Sequence, residues 1–129
     1  MLEKTFKEKT FTLEILYHIG ALEDSIHFIF DHDSKTCAII DPAWDPQLFV
    51  KRIEDKGYTL TDIWLTHWHF DHTNAVDELV EMTGAKVTAG IYETPYLQIE
   101  MPARHSLHTL FSPPALSSLP HLPSSQKSL

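Results

Sequence analysis

The chain is poor in cysteine, glycine and basic residues. It has one cysteine, four glycines, and ten Lys and Arg against eighteen Asp and Glu in 129 residues. With Cys37 alone, no internal disulfide can form. Cys37 lies in the run Thr36-Cys37-Ala38-Ile39-Ile40, which reads as a buried strand, where a thiol serves as a small and inert core residue. A net charge of −8 and the lack of any Lys/Arg cluster argue against nucleic acid or an anionic membrane as a partner. The N-terminus has no long apolar stretch, so neither a signal peptide nor a transmembrane span is expected, and the cytoplasm is the expected location. The 43% apolar content is normal for a globular protein, and the length suffices for one small domain with its own core.

Acidic residues and glycine are missing altogether after Glu100, while five of the eight prolines fall there. Pro113-Pro114, Pro120 and Pro123 block helices and central strands, so residues 102–129 are expected to be mostly irregular. The Pro/Ser/Leu/His/Arg/Gln bias of this tail is what pyrimidine-rich codons produce. An out-of-frame or artificial terminus is therefore one reading, and a native disordered tail is the other.

Ahead of the tail the pattern is regular. Residues 1–10 read as an N-terminal extension, and residues 11–101 as the domain. Phe11 to Ile19, Ile26 to Phe30 and Thr36 to Ile40 read as three strands of an antiparallel meander, with Asp31 to Lys35 as a polar turn. Asp45 as N-cap and Pro46 at the first helical position open a helix with Leu48, Phe49 and Ile53 on its apolar face; Gly57 stops it. Leu60 to Thr66 is a strand. A second helix runs from about Asn74 to Thr83, with Ala75, Val76, Leu79 and Val80 on one face, and Ala85 to Ala89 is a further strand. Three strands followed by helix–strand–helix–strand suggest a layered α/β (α+β) domain.

The most informative residues follow directly on Ile63-Trp64-Leu65. They are Thr66-His67-Trp68-His69-Phe70-Asp71-His72, three imidazoles and a carboxylate in one short turn. Imidazole nitrogen and carboxylate oxygen suit zinc, and also iron or manganese. His67 and His69, two apart in an extended segment, point to the same side and can face one metal. Asp71 and His72 fall where the chain turns into the next helix and can serve a neighbouring one. Two metals roughly 3.5–4 Å apart could share and activate a water, which Asp71 could orient while also holding the second metal. Trp68 and Phe70 alternate with the ligands and read as core or as a wall beside the site.

This stretch resembles the T-H-x-H-x-D-H signature of the metallo-β-lactamase superfamily. The surroundings are similar too: a strand ending in Asp (Ile39-Ile40-Asp41-Pro42), a helix after Pro46, a strand, the signature, a helix and a strand, over roughly residues 11–100. The resemblance implies an αββα sandwich, represented here by its first half and followed by the irregular tail. It implies His67 and His69 on a first metal and Asp71 and His72 on a second, with one or two Zn2+ as cofactor. Asp41 would steady the metal-bearing loop from behind; on the residues alone it reads equally as a strand-ending turn residue before Pro42. Family members often carry Gly after the Asp-Pro and after the Asp-His, where this chain has Ala43-Trp44 and Thr73-Asn74-Ala75. Within the superfamily the chain looks most like the hydroxyacylglutathione hydrolase (glyoxalase II) type, which implies a metal-bound water attacking a thioester or ester-type carbonyl of a small-molecule substrate, with Asp71 as the catalytic residue.

The family site also needs a further histidine, a bridging Asp and a last histidine. No Asp follows Asp77, and the Pro/Ser settings of His105, His108 and His121 do not match. The expectation is therefore the N-terminal half of a metallo-hydrolase domain, weakly active or inactive alone. An uncovered sheet would then favour self-association. A non-catalytic metal-binding or interaction module is the alternative. An amidohydrolase, which also uses His-x-His at a strand end, needs an eight-stranded barrel of about 250 residues.

Overall fold

Seven strands form one sheet in which spatial order follows sequence order. The computed structural model describes residues 2–66, 69–90 and, as backbone only, 107–109. The elements are β1 (Leu2–Lys7), β2 (Phe11–Ile19), β3 (Asp24–Asp31), β4 (Thr36–Ile40), α1 (Pro46–Asp55), β5 (Thr59–Leu65), a single 3-10 turn (Phe70–His72), α2 (Val76–Thr83), β6 (Lys86–Ala89) and β7 (Leu107–Thr109). β1 to β4 pair antiparallel, whereas β4, β5, β6 and β7 pair parallel. The change of direction follows from the connections. Tight turns return the chain antiparallel, while α1 and α2 carry it back to start parallel strands.

The first ten residues, read as an extension, contain β1, which pairs along its whole length with β2 from Leu2↔Tyr17 to Lys7↔Thr12. Every β1 residue is exposed, and its charges Glu3, Lys4 and Lys7 suit an edge strand. Within the stretch read as irregular, residues 107–109 form β7 against β6. The rest of that tail, His105 and His121 included, lies outside the described residues.

The register builds the core. Glu14, Phe28, Ile39, Ile63 and Val87 face one another across five strands, and all are buried. Both helices pack on this face. Phe49, Val50 and Ile53 of α1 and Val76 and Leu79 of α2 join the same apolar cluster, with Phe49 meeting Phe28 edge-on at 5.8 Å. Each such side chain contributes about 1.5–3 kcal/mol on burial. Asp45 caps α1 as expected, accepting the Leu48 N–H at 3.2 Å. Gly84 closes α2 in the left-handed conformation (φ 71°), with its N–H donating to the Val80 carbonyl at 2.8 Å.

Candidate metal centre

β4 and β5 run parallel, so their carboxyl ends lie at one edge of the sheet. β3 runs against β4, so its first residue, Asp24, lies at that edge as well. The loops leaving β4 and β5 meet there, in the position where α/β sheets commonly place their sites.

The chain leaves β4 through Asp41, which has φ 49° and is buried. Its backbone N–H donates to the Trp64 carbonyl at 2.9 Å. Its Oδ1 accepts the Thr66 backbone N–H at 2.8 Å, and its Oδ2 accepts the Thr66 hydroxyl. Asp41 thereby pins the first residue of the histidine-rich loop. Further on, the 3-10 turn is closed by the His72 N–H on the His69 carbonyl (2.9 Å) and the Thr73 N–H on the Phe70 carbonyl (3.1 Å). The two loops are stitched together by the Trp44 N–H on Asn74 Oδ1 (2.6 Å) and the Ala75 N–H on the Pro42 carbonyl (3.3 Å).

This scaffold brings carboxylates around one imidazole. His72 Nε2 lies 3.3 Å from Asp71 Oδ2 and 3.7 Å from Asp24 Oδ1, and its Nδ1 lies 3.7 Å from Asp41 Oδ2. One ligand atom from each of Asp24, Asp71 and His72 falls within 4.8 Å of the others. A nitrogen and two carboxylate oxygens so close together fit a divalent cation of the zinc, iron or manganese type. Ligation through Nε2 requires the imidazole proton on Nδ1, the atom that lies 3.7 Å from Asp41 Oδ2.

Asp71 and Asp41 both lie beside the His72 ring. His69 opens the 3-10 turn with its residue exposed, and it stands outside the three-residue cluster. His67 and Trp68 lie outside the described residues. Phe70 is 70% exposed and so is not a core residue; it stands edge-on to Trp44, with ring centroids 6.2 Å apart. Asp24 was not anticipated. It lies far from the signature in sequence, and only the fold brings it near.

Residues 24–121 match the model of the metallo-beta-lactamase superfamily. The chain belongs to that superfamily. Among curated proteins, a hydroxyacylglutathione hydrolase from Erythrobacter litoralis is 41% identical over 75 residues, which are 57% of this chain and 30% of that protein. One from a Jannaschia species is 45% identical over 71 residues, 54% of this chain and 27% of that protein. The chain therefore spans under a third of the length of these relatives. The B3 metallo-beta-lactamase BLEG-1 superposes with a TM-score of 0.60 at 21% identity, covering 87% of this chain and 54% of its own. The B3 enzyme BJP-1 of Bradyrhizobium japonicum gives 0.52 at 22%, covering 73% and 35%. The fold is metallo-beta-lactamase-like, as the sequence implies. No helix among the described residues is long and apolar enough to cross a membrane.

Proposed function

We propose that the chain is the metal-holding part of a metal-dependent hydrolase that cleaves a thioester or ester-type carbonyl of a small molecule. The convergence of His72 Nε2 and Asp71 Oδ2, with Asp41 behind the ring, carries this reading. The names of the curated relatives support the thioester class. Zn2+, iron or manganese suits the donor set. A bound cation supplies Lewis acidity, lowering the pKa of a water and polarising the carbonyl under attack. Asp71 has a second oxygen, Oδ1, with which to accept a hydrogen from that water and fix its orientation. Trp44 and Phe70 give the site an apolar flank against which substrate can lie. Turnover by this chain alone is expected to be slow or nil, because the stretch it shares with these relatives is under a third of their length.

The test is metal analysis of the purified chain after dialysis against Zn2+, joined to an assay of thiol release from a hydroxyacyl-glutathione thioester. The reading expects retained zinc, removed by chelator, and a reduced zinc content in His72→Ala but not in His121→Ala. Absence of retained metal would sink it. Retained metal without turnover, persisting when the chain is extended to the length of its relatives, would point to the binding module instead.

A further inference from the structure

We propose that Asp24 is a third protein ligand at the cation site of Asp71 and His72, held in position by the indole of Trp44. This rests on the metal reading above and extends it to a residue outside the signature. The Asp24 side chain is only 10% exposed, and its Oδ2 accepts the Trp44 indole N–H at 2.7 Å. That bond turns the other oxygen, Oδ1, toward His72 Nε2. The separations of 3.3 Å and 3.7 Å from His72 Nε2 to the two carboxylates bracket the edge of a tetrahedron with metal–ligand bonds of 2.0–2.2 Å, which is about 3.4 Å. Each carboxylate is thus spaced from the imidazole to share one ion with it, and the three ligand atoms all lie within 4.8 Å of one another.

Charge gives a second, independent reason. Asp24, Asp41 and Asp71 put three carboxylates around one ring, and among the described residues none of them pairs with a Lys or Arg. A carboxylate this buried, with a single neutral indole donor, lacks compensation for its charge. A divalent cation between Asp24, Asp71 and His72 supplies it. Trp44 is shaped for the supporting role. Its backbone has φ 80°, its N–H is fixed by Asn74, and its ring lies over Gly20, where an added Cβ would come within 2.2 Å of the indole. Glycine at position 20 leaves room for the ring that aims Asp24.

The experiment is a Co2+ titration of the whole 129-residue chain, followed by the visible absorption of bound cobalt and by metal stoichiometry, with circular dichroism to verify folding. Asp24→Asn and Asp71→Asn are each expected to weaken Co2+ binding by about tenfold or more and to change the cobalt spectrum. Trp44→Phe keeps a ring but removes the N–H, and is expected to weaken binding by a smaller factor. A folded Asp24→Asn with wild-type affinity and an unchanged spectrum would overturn the role of Asp24 and leave the metal site intact. A wild-type chain that binds no Co2+ would overturn both. Should Asp24→Asn fail to fold, Trp44→Phe and Asp24→Glu decide: altered affinity or spectrum in both supports the assignment, and wild-type behaviour in both overturns it.

Discussion

Asp41 and Trp44 lie three residues apart and both hold positive φ, at 49° and 80°. Such backbone costs of order 1–3 kcal/mol for a residue with a side chain and persists only where surrounding bonds impose it. At Asp41 those bonds come from Thr66 and Trp64, so the carboxylate holds the loop and faces His72 at once. Asp41→Ala would leave the Thr66 N–H without its acceptor. The expected loss is about 1–3 kcal/mol, read as a lower urea midpoint, together with weaker metal retention. Asp41→Asn keeps an acceptor for that N–H and tolerates the left-handed conformation, so it should cost less stability; equal losses in both variants would contradict this account. Cys37 gives a second prediction at this scale. Burial, with the Glu14 charge adding to it, pushes its thiol up to about 12. Native protein should resist alkylation at mildly alkaline pH and react fully once unfolded; mass spectrometry of the alkylated chain reads both states. Asp71, His72 and Asp41 could be singled out in the sequence because signature and strand end are local patterns. Asp24 and Trp44 were not, because their roles depend on β3 running back along β4 and on a loop conformation that a tryptophan does not ordinarily adopt.

Among the elements, α1 was the most legible. Its cap, its opening proline and its apolar stripe are all local, and it runs Pro46–Asp55 as those signals require. β1 was hidden because its residues face solvent on both sides of the pleat, so no alternation marks it. Beyond its pairing with β2, β1 is tied to α1 by charge. Arg52 on α1 reaches Glu3 of β1 at 2.6 Å and also pairs with Glu14 of β2, whose side chain is 3% exposed. Lys56 reaches the other Glu14 oxygen at 3.2 Å. Glu14 sits in the row of core side chains, so its charge is tolerable only while these cations remain. Arg52→Ala should therefore cost about 2–3 kcal/mol, less than a fully broken buried pair because Lys56 stays. Glu3→Ala, which removes only an exposed partner, should cost under about 1 kcal/mol. Urea denaturation of the two variants checks the ranking, and similar losses would show that Glu14 does not depend on Arg52.

At the scale of the whole molecule, the two faces of the sheet are unequal. The helices cover the face carrying Phe28, Phe30, Ile39 and Ile63. On the other face the register aligns Leu13 with Ile29 and Ile40 with Trp64, and Ile15 and Tyr17 extend the same apolar surface along β2; all six are part-exposed. A polar face would alternate with the core residues if water were its permanent neighbour. The apolar character therefore anticipates a second layer, and the sandwich of the superfamily has one. The sequence alone did not say which side the helices take; that follows from Phe49 meeting Phe28. Where the chain stands alone, a second copy presenting the same apolar face is the occupant this account expects. Sedimentation velocity over a range of protein concentrations should then show self-association. Ile29→Lys, at the centre of the face, should shift the chain toward monomer with its circular dichroism spectrum kept, because a buried ammonium would oppose the contact. A wild-type chain that stays monomeric as concentration rises, or an Ile29→Lys variant that associates as strongly as wild type, would mean that this face finds its cover within the chain itself.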